Sequence, residues 1–377
     1  MSTIKPATLA RARAFLERAP LVDGHNDLPY VVRKHESAKG DVAAYALERA
    51  HQETDTDIPR LKAGKAAAQF WAAFCPTQAK DPSRFTLEQI QLIRSVNALH
   101  PDVFLPALKA SDIRRAKRQG KIASFIAVES GIGIGDRLEM LDIFHALGAR
   151  YMTLCHNETL DWVDSATDAP RHNGLTDFGR NVIRRMNEIG LLVDLSHTTP
   201  KVMHDVLDIA SAPAAITHAN ARTLCDHPRN VDDSVLERLK ANGGIVMATF
   251  VPAFINQALR DWLKPLQTHS KAPLDADIGA LIAERARRTG PAPKATLAQF
   301  CDHVDYLANK AGIDHVGIGS DFFGGATPEG LEDVSKFPDL IAALMERGWS
   351  DTALAKLAGR NVIRVLRGVE KAAKPAA

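Results

Sequence analysis

Eight short β-rich segments recur along the chain, separated by amphipathic helical patterns, and this alternation constrains the fold more than any other feature. The strand candidates are Leu21–His25, Phe70–Cys75, Ile122–Glu129, Tyr151–His156, Leu191–His197, Ala214–His218, Ile245–Phe250 and Val316–Asp321. Helical patterns fall between them at Arg137–Leu147, Thr176–Ile189, Pro200–Ile209, Val231–Ala241 and Leu297–Ala311. Gly148, Gly190 and Gly312 stand near helix ends, where a C-cap glycine is expected. Strands that alternate with helices run parallel, because each crossover helix returns the chain to the same end of the sheet. Eight in series predict a closed, TIM-like (β/α)8 barrel rather than an open doubly wound sheet.

A bare barrel uses about 250 residues, so roughly 120 of the 377 here belong to insertions and terminal extensions. Two insertions are visible, from about Pro29 to Gln69 and from about Val251 to Pro293. The second carries helical stretches around Pro252–Leu266 and at Ala276–Arg288. Loops of that length are commonly lids or binding elements. The expected division is a helical extension over 1–20, one barrel domain over 21–368 and a flexible tail over 369–377.

Composition removes several function classes. Hydrophobic residues make up 45% and charged residues 24%, as in ordinary globular domains. With 47 Lys and Arg against 45 Asp and Glu, the net charge of +2 gives no electrostatic case for nucleic acid. No stretch approaches the roughly 20 apolar residues of a membrane span, and the first twenty residues hold no signal-peptide core. The four cysteines are scattered without a CxxC pair, so free thiols and a reducing cytoplasm are expected.

The informative residues lie at the ends of the candidate strands. His25, Asp27, Glu129, His156, His197, His218 and Asp321 are all suited to metal binding. In a barrel those strand ends converge on one face, where active sites of this fold lie. His25 and Asp27, two residues apart, share a side of an extended strand and suit one divalent ion, although HxD alone also fits a surface turn. Glu129 ends the apolar strand IASFIAV, where an ionised carboxylate is costly unless paired or metal-bound, and its two oxygens make it the bridging candidate. His197 in VDLSH and His218 in AAITH end consecutive strands. A lone histidine of this kind is more often a hydrogen-bonded core residue, but two in succession favour zinc ligands. Two zinc ions bring +4, and Asp27, Glu129 and a bridging hydroxide bring −3. The residual positive charge favours a carbonyl that becomes an oxyanion, and metals also lower the pKa of bound water to about 7.

Other motifs fail. His35-Glu36-Ser37-Ala38-Lys39 lacks the second histidine of HExxH, and Ser320 is not in a GxSxG elbow. Gly131-Ile132-Gly133-Ile134-Gly135-Asp136 has Asp where the dinucleotide fingerprint needs Gly or Ala, so a flexible turn after Glu129 is expected. His172 and His227 lie in polar loops, and Cys75 and Cys155 lie at strand ends where a buried thiol is the simpler reading.

Taken together, LVDGHNDLP, TDIPRLKAGKAAAQFW, AVES, YMTLCHN, VDLSH, ITHANAR, HPRNVDD and GSDFFGG resemble the membrane (renal) dipeptidase family of zinc dipeptidases in the amidohydrolase superfamily. The resemblance runs in order from about Leu21 to Val365. It implies a binuclear site with His25 and Asp27 on one zinc, His197 and His218 on the other, and Glu129 between them. It further implies that His156 stabilises the oxyanion, that Arg229 in HPRN clamps the substrate carboxylate, and that Asp321 shuttles protons or orients the substrate amine. The implied reaction is hydrolysis of small dipeptides, including those with a C-terminal D-residue, by attack of a metal-bridging hydroxide. Homodimers are common in the family. Two features depart from its pattern: Cys155 precedes His156 where Thr is usual, and DFFGG replaces the commoner DFDG. Competing readings are hydrolysis of N-acyl-amino-acid or β-lactam amides in the same site, and a catalytically silent metal-binding barrel.

Overall fold

The computed structural model describes residues 4–51, 54–267, 278–322 and 326–374. Nine parallel strands occur among them: Leu21–Asn26 (β1), Ala66–Phe74 (β2), Phe104–Pro106 (β3), Ile122–Glu129 (β4), Ala149–Thr153 (β5), Leu192–Asp194 (β6), Ala215–Ile216 (β7), Ile245–Ala248 (β8) and Val316–Ile318 (β9). Their order is β2-β1-β9-β8-β7-β6-β5-β4-β3, and a further pairing of β2 with β4 closes eight of them into the expected barrel. β3, which the alternation did not reveal, runs beside the start of β4 with Phe104 opposite Ile122. It is too short to show a period of its own.

β4 illustrates how the sequence selects its faces. Ala123, Phe125 and Ala127 join the barrel's inner cluster, whereas Ile122, Ile126 and Val128 pack outward with the helices. By the same period of two, Glu129 emerges on the inner side at the mouth. Phe70 stacks on Phe125 at 4.6 Å and on Tyr151 at 5.3 Å, filling the barrel's interior. A Cβ on Gly24 would lie 2.6 Å from the Met247 sulfur, so the flexible end of that side chain fills the space a larger residue 24 would take.

The termini are part of the packed body. Helix Pro6–Arg18 buries Ala12, Phe15 and Leu16, and Lys117 donates to the Leu16 carbonyl at 2.9 Å. At the other end, helix Asn361–Ala372 runs past the expected boundary at 368. Its Val362, Val365, Leu366 and Val369 share the inner apolar cluster with Val22, Phe125 and Met247. Glu370 accepts from the Ala110 N–H at 2.6 Å and Arg364 donates to the Gly244 carbonyl at 3.1 Å, which places this helix across loops that lead into β4 and β8. Residues 375–377 lie outside the described residues.

The first insertion folds into three short helices, Leu28–Lys34, Val42–Tyr45 and Ile58–Ala63, and returns to the barrel through a 2.9 Å bond from Asn26 Nδ2 to Thr56 Oγ1. The second contains helices Pro252–Ile255, Gln257–Gln267 and Ile278–Thr289. Ala276, expected to begin the last of these, lies outside the described residues. The glycine-rich run after Glu129 is a packed 3₁₀ turn, Gly131–Ile134, and not the flexible loop expected. A Cβ on Gly131 would meet the Leu154 carbonyl at 2.4 Å. No described helix is long and apolar enough to cross a membrane.

Candidate metal centre and active site

The site sits at the C-terminal mouth of the barrel, and most of its residues stand beyond the strands rather than on them. His25 is on β1 and Glu129 closes β4, but Asp27 is the N-cap of helix Leu28–Lys34. β5, β6, β7 and β9 end before His156, His197, His218 and Asp321, earlier than the sequence pattern predicts. The cause is local: His197 and Asp321 take φ values of 70° and 63°, a left-handed conformation that no strand accommodates. Ser130, directly after Glu129, has φ 83°. These three are among eight described non-glycine residues with positive φ, and at the cluster surrounding bonds hold the strain in place.

Glu129 is the centre of the arrangement. Its Oε2 lies 3.4 Å from His25 Nε2, while its Oε1 lies 3.3 Å from His197 Nε2 and 3.8 Å from both His156 Nε2 and His218 Nε2. His25 Nε2 is also 3.5 Å from Asp27 Oδ2 and 3.9 Å from Asp321 Oδ1. Three triads offer ligand atoms within 4.8 Å of one another: His25, Glu129 and His218; Glu129, His156 and His197; and His25, Asp27 and Asp321. His156 and Asp321 thus stand as close to the cluster as the residues expected to hold metal.

Electrostatics favour cation binding. Burial, reinforced by the positive charge of neighbouring groups, holds His197 and His218 well below the usual histidine range and His156 at about 3, so these rings stay neutral and able to ligate. At His25, desolvation would lower the pKa, but Tyr151, Glu129 and Asp27 outweigh it and raise it well above the ordinary value. Burial and the nearby Glu129 raise Asp27, and burial pushes Asp321 up to about 6. His25 Nε2, His218 Nε2 and His197 Nδ1 are buried without a hydrogen-bond partner. The orphaned Nε2 atoms of His25 and His218 face Glu129 and fit a divalent metal, whose binding would satisfy them.

Arg229 lies against this cluster from the loop after β7. It is 3% exposed, its Nη2 is 3.5 Å from the His218 carbonyl, and its Nη1 has no hydrogen-bond partner. Its guanidinium lies 5.4 Å from the Phe254 ring centre. His227 accepts from the Arg229 N–H at 3.1 Å and so supports this loop. His172 bonds the Leu160 carbonyl within the loop after β5. Both are outside the three triads, as are Cys75 and Cys155, whose thiols burial pushes up to about 11 and about 12. All four cysteines are free and buried.

The sequence reading missed the groups that support these side chains. Tyr151 Oη is 2.7 Å from His25 Nδ1, and Thr217 Oγ1 is 3.0 Å from His218 Nδ1. Buried Asp194 collects the hydroxyls of Thr153, Ser196 and Thr217 at 2.6–2.9 Å. For Asp194 the signal was present in VDLSH, where an aspartate precedes the histidine by three residues.

A parallel barrel carrying imidazoles and carboxylates around one shared glutamate belongs to the metal-dependent hydrolases of the (β/α)8 class. Residues 9–377 match the profile of the membrane dipeptidase family, peptidase family M19, and the chain belongs to that family of dipeptidases. Dipeptidase tcpJ of Claviceps purpurea (strain 20.1) is 39% identical over 367 residues, covering 93% of this chain and 77% of the relative. An uncharacterized dipeptidase of Schizosaccharomyces pombe is 37% identical over 378 residues, covering 96% and 83%. Among solved structures, the probable dipeptidase PvdM from Pseudomonas aeruginosa superposes with a TM-score of 0.85 at 24% identity, over 98% of this chain and all of that one. A metallopeptidase from Rhodobacter sphaeroides, liganded with a phosphinate mimic of L-Ala-D-Ala, gives 0.76 at 23% identity, over 93% and 99%. At those identities the likeness speaks for the shared barrel.

Proposed function

We propose that this dipeptidase is a binuclear zinc enzyme that cleaves small free dipeptides, including those with a C-terminal D-residue. The observation that carries the reading is the sharing of Glu129, whose two oxygens face different histidines from opposite sides of the barrel mouth. His25 and Asp27 would hold one ion, His197 and His218 the other, and Glu129 both. Bound metal would supply Lewis acidity to polarise the scissile carbonyl and would make water nucleophilic at neutral pH.

The chain's own residues supply the rest. The guanidinium of Arg229, whose Nη1 makes no hydrogen bond, is a receptor for the substrate's α-carboxylate, and its burial sets the limit on length, since another residue would displace the carboxylate. His156, neutral and partly exposed, donates a hydrogen bond to the oxyanion. Asp321, with its pKa raised to about 6, carries a proton at mildly acidic pH and accepts one near neutrality, as transfer to a leaving amine requires. The L-Ala-D-Ala mimic held by the Rhodobacter neighbour supports acceptance of a D-residue.

The test is amine release from L-Xaa-L-Xaa, L-Xaa-D-Xaa and N-acetylated dipeptides, with zinc-loaded and chelated protein side by side. Chelator-sensitive cleavage of free dipeptides alone supports the proposal. Preferential cleavage of blocked amides would move the activity to acylase or lactamase chemistry, and no turnover at two bound zinc ions would make this a silent barrel.

A further inference from the structure

The two hydroxyls behind the candidate ligands share a property that fixes proton positions. Tyr151 Oη lies 2.9 Å from the Gly24 carbonyl and 2.7 Å from His25 Nδ1. A carbonyl has no proton to give, so the single phenolic proton is committed to Gly24. The tyrosine oxygen can then only accept from His25, which puts the ring proton on Nδ1. Thr217 repeats the logic on the other side of the barrel. Its hydroxyl lies 2.7 Å from Asp194 Oδ2 and 3.0 Å from His218 Nδ1. Asp194 is surrounded by donors, namely the Thr153 and Ser196 hydroxyls and the Ser196 and Thr217 N–H groups, so the threonine proton goes to the carboxylate. Thr217 Oγ1 is therefore left to accept from His218 Nδ1.

We propose that Tyr151 and Thr217 are positioning residues that lock His25 and His218 as Nδ1–H tautomers and so aim both Nε2 lone pairs at the metal centre. The inference rests on the metal reading above. It is supported by the two Nε2 atoms themselves, which are buried, make no hydrogen bond and face opposite oxygens of Glu129. It also separates His197 from the other two, because its Nδ1 has no hydrogen-bond partner and its ring packs instead against those of His156 and His218. A ring whose Nδ1 proton is held beforehand can present only Nε2 to the metal, and partners of this type typically change metal affinity by about 10- to 100-fold.

The test uses the full chain with Tyr151→Phe, Thr217→Val and Thr217→Ser. Zinc affinity is read by competition with a chromogenic chelator, and folding of the metal-free proteins by thermal unfolding. Tyr151→Phe and Thr217→Val are expected to bind zinc about 10- to 100-fold more weakly, with Thr217→Ser restoring wild-type affinity. Nitrogen-15 spectra of histidine-labelled, zinc-loaded wild type are expected to show Nδ1 protonated and Nε2 metallated at His25 and His218. This readout needs no variant to fold. Two bound zinc ions with affinities unchanged within twofold in both hydroxyl deletions, or an Nε2–H signal at either histidine, would overturn the lock and leave the metal site standing. Failure of the wild type to take up zinc at all would overturn the metal reading, and the lock with it.

Discussion

Ser320 and Asp23 form a two-point clamp beneath the site: the serine N–H donates to Asp23 Oδ1 at 2.8 Å and its hydroxyl to Oδ2 at 2.6 Å. Gln69 adds a third donor at 2.9 Å, and the Asp321 N–H reaches the His25 carbonyl at 3.1 Å. The clamp ties the end of β9 to β1 and holds the left-handed turn at Asp321. It also leaves a carboxylate fully buried, and burial raises the Asp23 pKa to about 6 despite its four donors, the fourth being the His25 N–H.

A group whose folded pKa exceeds its unfolded value keeps its proton longer in the native state. Asp23 therefore costs stability as pH rises from about 4 to about 6, by on the order of 3 kcal/mol, and the cost is constant above that. The stability of wild type minus that of Asp23→Asn, measured by urea unfolding in chelator across pH 4–8, is expected to fall through that window and then level. A flat difference would show that Asp23 does not titrate there.

Glu129 and Asp321 are expected to separate by metal content. Glu129→Gln removes the carboxylate common to both halves, so zinc retained after desalting should fall from two equivalents to one or none. Asp321→Asn should keep two and lose most turnover. Its Oδ1 lies within the same triad as His25 and Asp27, so metal loss in that variant would instead assign it as a ligand.

Arg229 is a charge held out of water with an unpaired Nη1. A buried ion carries a desolvation penalty of several kcal/mol, which an apolar side chain of similar length does not. Arg229→Met is expected to match or exceed wild-type stability by thermal unfolding. Its kcat/KM for dipeptides should fall by the equivalent of about 2–5 kcal/mol, because the substrate carboxylate would lose its partner. Unimpaired kcat/KM would remove the clamp role.

Metal binding should release protons at neutral pH. His25 has its pKa raised well above the usual value, so it carries a proton at pH 7 that must leave before Nε2 can ligate. Apparent zinc affinity is expected to rise with pH, and the calorimetric heat of zinc binding at pH 7 should differ between buffers of unlike ionisation enthalpy. Equal heats would place His25 as neutral beforehand.

Much of this architecture is local enough to read from the chain. Helices Pro200–Ile209 and Leu297–Ala311 begin and end as their patterns predict, because Thr199 and Thr296 cap them and their apolar faces repeat with the helical period. The strands are less legible at their ends. β7 has only two residues, and His218 lies beyond it because Asp194 and Ser196 take over the backbone bonds of Thr217 and His218 that a longer ladder would make. β3 escaped notice because three residues carry no period.

The sequence by itself determined the parallel barrel, from the alternation of strands and helices. It also determined which seven polar residues stand near the strand ends, because both are properties of neighbours in the chain. Only the tertiary structure decided which of those residues share Glu129 and which nitrogen of each histidine faces it. The bonds that settle this join His25 to Tyr151 and Thr217 to Asp194, residues 126 and 23 positions apart. A proton's place on an imidazole depends on what lies within 3 Å of its far side, and no local pattern encodes that neighbour.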